Sequence, residues 1–309
     1  MITDISEILN FRFDVRTPDR MDWMFKQGIH PGYPKNFSTY KKLLQSPPHV
    51  FNYFRYVLKD PKDPDSITKI NKQSKNNDVL CYSTGHILAC LSLVNSTSEN
   101  YGNLAIMGND VKLYRYVESL ELIKHRFTKI YCEAKDIECD WVQVLPMGMI
   151  MAYMIRNGGN DILYHINKQK NKTKLVSSAF GSRWPTLNWI PDRSALIKYI
   201  KQNNYVDNML CEPDKYYERL CEYKFFLSPL GNGIQTPKIC ECIMCETVPV
   251  VTDHVAHREL RDLYGLPLLI VDDWSCITKN MLNEQWESVY KNTNWSEQKN
   301  KFLVKNFKL

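Results

Sequence analysis

The sequence predicts an α/β protein made of two Rossmann-like domains facing a central cleft. Three observations lead there. Short apolar runs alternate with helical patterns along most of the chain, the signature of a parallel sheet with crossover helices. The length, 309 residues, suits two domains of roughly 150 residues each. The second half repeats the rhythm of the first after a polar stretch at 157–174 that carries Gly158, Gly159 and alternating lysines.

Taken in order, residues 1–75 are polar, aromatic and punctuated by prolines. Short helices and loops are expected there, as a cover over one edge of the first domain. Buried strands follow at Asn76–Thr84 and Asn103–Met107, each stopped by a glycine. A helix is expected at Glu118–His125, then strands at Thr128–Cys132 and Trp141–Leu145, the latter ended by Pro146 and Gly148. The 157–174 stretch reads as a linker, which puts the first domain at 1–168. The second domain, 169–285, opens with a strand at Thr173–Ser178 and a helix at Asp192–Lys201, capped by Asp192 or by the turn at Pro191. Strands at Lys224–Leu227, Val248–Val251 and Leu266–Val271 alternate with helices at Pro237–Glu246 and His254–Leu263. Closing helices fall at Thr278–Tyr290 and Trp295–Lys305. The 286–309 tail forms a third unit that can return to the first domain.

Composition narrows the function classes. Apolar residues make up 44% and charged residues 24%, which excludes a disordered chain. A net charge of +6 is mild for a nucleic-acid binder and suits a small anionic substrate at least as well. The eight Lys/Arg against two Asp in 160–205 read either as a solvated face or as charge near an anionic ligand. The first thirty residues lack an apolar signal region, and the apolar run Trp141–Ile155 is short and broken by Gln143, Pro146 and Gly148. A cytoplasmic protein without a membrane span is expected, its ten cysteines reduced. Cys240, Cys242 and Cys245 lack a matching second ligand pair and read as a buried helix face, not a metal site.

The segment Lys224–Thr252, KFFLSPLGNGIQTPKICECIMCETVPVVT, carries the chemistry. It runs strand, Gly-rich loop, helix, strand. Gly231 and Gly233 let the backbone approach a ligand closely. Pro237 suits a first helical turn, and the helix start directs amide N–H groups into the loop, an anion site. Lys238 adds a full positive charge. Glu241, one turn further in, can accept two hydrogen bonds from a vicinal diol such as a ribose.

This segment resembles the signature of the exostosin-like glycosyltransferases. Phe226, Ser228, Pro229, Gly231, Asn232, Gly233, Ile234, Thr236, Glu241, Pro249 and Val251 match the family pattern, and Leu266-Pro-Leu-Leu-Ile-Val-Asp-Asp-Trp-Ser275 is similar to its closing L-P-V-L-I-V-D-D-W-S. The likeness covers about 60 residues, with weaker echoes at Met107–Asp110 and Val144–Gly148. The family's D-T-H-R is replaced by Gln235-Thr236-Pro237-Lys238, and a family glycine by Glu246.

The resemblance implies a GT-B fold, with a nucleotide-sugar donor, usually UDP-linked, in the C-terminal domain. It implies inverting transfer of a hexosyl or pentosyl unit, such as xylose, to a glycan or glycoprotein hydroxyl, with no cofactor or divalent metal needed for donor binding. Donor contacts are expected from Ser228, Gly231, Asn232, Gly233, Ile234, Thr236, Pro237, Lys238, Glu241 and from Arg183, which follows the first strand of the second domain. The general base is expected across the cleft. Asp110, at the end of the 103–107 strand, is the first candidate, although the same position suits a helix cap. His86, after the 76–84 strand, is the second, with a structural histidine as its alternative. The missing His and Arg leave open a non-catalytic nucleotide-sugar or glycan-binding protein of the same fold.

Overall fold

The computed structural model describes residues 1–9, 53–58, 69–70, 77–81, 84–107, 113–168, 171–179, 190–231 and 233–309. The first sheet comprises β1 (Tyr56–Leu58), β2 (Lys69–Ile70), β3 (Val79–Cys81), β4 (Asn103–Ile106), β5 (Lys129–Cys132) and β6 (Val142–Val144). The order is β2-β1-β3-β4-β5-β6, with β2 antiparallel to β1 and every other pair parallel. Two of these strands correct the expectation of helices and loops across 1–75. They are short, so no run of alternating residues announces them.

Helices α1 (Thr84–Ser96) and α2 (Val117–Ile123) cover one face of this sheet. Val79, Cys81, Leu104, Ile106, Ile130 and Cys132 pack there with Ile87, Cys90, Leu120 and Ile123. The intervening residues Leu80, Ala105 and Tyr131 point to the opposite face and join a second core. This is the period of two that a strand buried on both faces requires.

The polar 157–174 stretch is more than a linker. After α3 (Met151–Arg156) it holds α4 (Ile162–Asn167), whose Ile162, Leu163 and Ile166 are buried. Their spacing is that of one helix face, a signal the surrounding glycines and lysines obscure. Lys172 serves the fold: its Nζ donates to the Cys245 carbonyl at 2.7 Å and the Thr247 hydroxyl at 2.9 Å. Lys174 pairs with Glu222 at 2.7 Å.

The second sheet comprises β7 (Lys174–Ser178), β8 (Val206–Asn208), β9 (Tyr223–Leu227), β10 (Val248–Thr252) and β11 (Leu269–Val271), all parallel, in the order β11-β10-β9-β7-β8. The final strand is shorter than the 266–271 expected, because Leu266 and Leu268 are taken into a turn closed by the Leu268 N–H to Leu266 carbonyl bond. One face packs on α5 (Ile190–Gln202), through Leu196 and Tyr199. The other packs on α6 (Tyr216–Leu220), α7 (Pro237–Met244) and α8 (Val255–Asp262), through Tyr217, Ile243 and Leu260. Helix α9 (Lys279–Gln285) and the π-helical turn Trp286–Tyr290 return to the α5 face, where Trp286 and Tyr290 meet Phe225 edge-on. The sheet is thus doubly wound.

The chain ends beside its beginning. After α10 (Trp295–Asn300), Leu303 bridges Ile8, and the Leu9 N–H donates to the Phe302 carbonyl at 2.7 Å. Leu9 in turn accepts the Met149 N–H at 2.9 Å. Gly148 makes that approach possible: its φ is +74°, and a Cβ there would fall 2.2 Å from the Leu9 oxygen. No helix among the described residues is long and apolar enough to cross a membrane.

Candidate functional site

The strand order of the second sheet reverses at β7. Its successor β8 lies on one side and β9 on the other. In a doubly wound sheet the connections leave opposite faces at such a point, opening a crevice at the carboxyl ends of the two strands. The crevice here lies past Ser178 of β7 and Leu227 of β9, which are joined by a Ser178 hydroxyl to Leu227 carbonyl bond of 3.2 Å. The loop leaving β9 is the Gly-rich loop.

That loop is shaped from within. The Ser228 N–H extends the ladder to the Val250 carbonyl at 2.8 Å. The hydroxyls of Ser228 and Thr236 meet at 3.0 Å, and the Gly231 N–H closes onto the Gly233 carbonyl at 3.0 Å. Thr236 occupies the cap position of α7, yet its side chain makes no capping bond. Pro237 follows at the first helical position. The first-turn amides therefore have no side-chain oxygen of the cap residue, which is the arrangement that attracts an anion. A Cβ on Gly231 would lie 3.0 Å from the Thr236 methyl and 3.5 Å from Nη2 of Arg193, so this position admits little beyond glycine.

Arg193 is a functional candidate the sequence reading missed. Its Nε donates to the Leu230 carbonyl at 2.8 Å, placing the guanidinium against the Gly-rich loop. Burial holds its pKa below the usual arginine value. Asp192 beside it corrects the expected cap: α5 begins at Ile190, and the carboxylate instead accepts the Leu230 N–H and the Trp274 indole N–H, both at 2.7 Å. Burial raises its pKa against those bonds. Asp192 thereby ties the loop to the D-D-W-S segment, where Asp273 caps the short turn Trp274–Cys276. Neither residue is visible as a site residue without the strand order, which brings the start of α5 to the β9 loop.

Lys238 and Glu241 form one unit. The Lys238 Nζ lies 2.8 Å from Glu241 Oε2 and 3.9 Å from the centroid of the Tyr216 ring. Glu241 is fully buried, and its Oε1 has no hydrogen-bond partner among the described residues. Beneath the loop, His257 is buried with Nδ1 2.8 Å from the Thr252 carbonyl, and it also bonds the Ile234 backbone. Burial lowers its pKa.

The carboxyl ends of the first sheet meet this loop. Gln235 is buried and accepts the Met147 N–H at 3.0 Å, while its amide donates to the carbonyls of Glu133 at 2.6 Å and Leu145 at 2.8 Å. Glu133 directly follows β5 and Leu145 directly follows β6. Nearby, buried Lys135 pairs with Glu259, whose other oxygen accepts the Val144 N–H at 2.8 Å. The Tyr264 hydroxyl donates to the Val144 carbonyl at 2.7 Å.

Of the expected site residues, Ser228, Gly231, Gly233, Ile234, Thr236, Pro237, Lys238 and Glu241 come together in the β9 loop and α7. His86 falls in the first turn of α1, past the carboxyl end of β3. Its side chain lies outside the described residues, as do Asn232, Arg183 and Asp110. Cys240, Cys242 and Cys245 are buried in the core. No protein-family model matches the sequence, and no curated protein matches it.

Proposed function

We propose that the chain is an inverting glycosyltransferase that moves a sugar from a UDP-sugar to a glycan hydroxyl. One observation carries this reading. The segment that resembles the exostosin-like signature forms the loop at the strand-order reversal, where a doubly wound sheet receives its ligand. The diphosphate would meet the first-turn amides of α7, Lys238 and Arg193, which supply preorganised positive charge for the leaving group. The ribose diol would meet Glu241. The acceptor would approach from the first sheet, whose carboxyl ends face this loop at Gln235, as a GT-B arrangement requires. Asp110 or His86 would take the proton as the hydroxyl attacks the anomeric carbon and UDP departs.

Calorimetry with UDP and uridine tests the reading. UDP is expected to bind more tightly than uridine, and equal affinities would overturn it. Asp110→Ala is expected to keep UDP affinity and abolish turnover. The replacement of the pattern's His and Arg by Pro237 and Lys238 favours a second reading, a nucleotide-sugar-binding protein without catalysis. Turnover of a UDP-sugar, including slow hydrolysis, separates the two.

A further inference from the structure

Resting on the donor-site reading above, we propose that Lys238 makes nucleotide recognition conditional on the diphosphate. The pair it forms with Glu241 is a latch that only a ligand bearing both an anion and a vicinal diol opens without loss.

The geometry is asymmetric. Lys238 is one-quarter exposed, whereas Glu241 is wholly covered. Lys238 lies over the carboxylate and rests on the Tyr216 ring, a cation–π contact that holds the ammonium in place. Beneath it, Glu241 Oε1 and the hydroxyls of Tyr216 and Tyr217 are buried without hydrogen-bond partners among the described residues. Burial, reinforced by the Glu241 charge, pushes both phenols up in pKa, so they stay neutral and available as donors. The buried carboxylate thus has unused acceptor capacity. Its one ionic partner among the described residues is a flexible lysine in the first turn of α7.

An anion bound at that first turn competes for the Lys238 ammonium. Lysine suits the exchange: it is a point charge on a flexible stem, with no planar fork to be broken. Withdrawing it strips a buried carboxylate of its counter-charge, which is strongly unfavourable unless another donor replaces it. A ribose diol on the same molecule supplies two donors. A nucleoside alone must break the pair without offering Lys238 a new anion. A free diphosphate must break it without offering Glu241 a new donor. Each half of the ligand is therefore weakened by the pair, and the whole is not.

The test is calorimetry on the full chain with UDP, uridine and inorganic pyrophosphate. Glu241→Gln keeps the side-chain shape and removes the buried charge, so Lys238 is released. Its pyrophosphate affinity is expected to rise about fivefold or more over wild type, the scale of an ordinary coupling between sites. Lys238→Met is expected to raise uridine affinity by about the same factor and to weaken UDP. An unchanged or weaker pyrophosphate affinity in Glu241→Gln overturns the latch, and that arm decides the matter even where Lys238→Met does not fold. The donor-site reading fails separately: wild-type protein would then bind UDP no more tightly than uridine.

Discussion

Gln235 donates its side-chain amide to the backbone carbonyl of Glu133 at 2.6 Å, joining the Gly-rich loop of one sheet to the end of a strand in the other. The same side chain bonds Leu145 and Met147. It stands where the exostosin-like pattern has Asp, and an acceptor-only carboxylate could not donate to two carbonyls. Gln235→Ala would remove three hydrogen bonds to the backbone. It is expected to lower stability by about 2–4 kcal/mol, read as a lower urea midpoint. Gln235→Glu is expected to cost more than Gln235→Ala, because it sets a negative charge against the Glu133 and Leu145 carbonyls.

Arg193 makes a second prediction. Arg193→Met is expected to weaken UDP about tenfold or more, as loss of a charge-assisted bond does, and to leave uridine nearly unchanged. Arg193→Lys should recover only part of the loss, since the fork geometry is gone. Equal losses for UDP and uridine would mean that Arg193 only shapes the loop through Leu230.

Stability should fall in mild acid through His254. This residue caps α8, its Nδ1 accepting the Ala256 N–H at 3.2 Å, and the cap works only while Nδ1 is unprotonated. Burial first, then His257 and Arg258, lowers its pKa from 6.5 to about 4. Between those values the unfolded chain binds a proton that the folded chain refuses. The stabilisation is therefore complete above about pH 6.5 and is lost as pH falls through about 4. Burial of His257 acts with the same sign. Asn caps helices without titrating, so His254→Asn should show a shallower fall in thermal midpoint from pH 7 to 4. Superimposable curves would remove His254 as the cause.

Glu246 has a φ of +59°, a left-handed conformation that strains a glutamate and suits glycine. The family pattern has glycine here. The strain is held by Lys299, which pairs with Glu246 at 2.6 Å and donates to the Ile166 carbonyl at 2.8 Å, linking α10 to α7 and α4. Glu246→Gly relieves about 1 kcal/mol of backbone strain and loses the pair, so its net effect should be small. In a Lys299→Met background the same change should stabilise by about 1 kcal/mol. A double-mutant cycle measured by chemical denaturation checks the coupling.

The Gly-rich loop is legible in the sequence because each of its features has a local cause. Two glycines, a first-turn proline, an aromatic strand before the loop and a valine-rich strand after the helix place β9, α7 and β10 within a residue or two of their observed bounds. What stays hidden is non-local. Strand order decides that α5 starts beside the β9 loop, and only then does Arg193 become a candidate site residue and Asp192 a brace in place of a cap. Gln235 reads as a departure from a pattern until the first sheet is laid against it. The α4 helix hides for a compositional reason, its three buried residues being outnumbered by glycine, asparagine and lysine. Glu241 is the instructive case. Its position follows from the helix start, but its pairing with Lys238 is a choice between partners three residues apart.

All ten cysteines are free, and Cys276 alone is exposed, Cys139 and Cys211 being half-buried. Cys276 closes the turn whose Trp274 is held by Asp192 beside the Leu230 N–H. The unmodified chain thus presents its most accessible thiol on the rim of the Gly-rich loop. A maleimide fluorophore added at low stoichiometry would settle there first, with an indole two residues away as a quencher. Ligand arrival could then be followed as a change in light emission, with no cysteine added or removed.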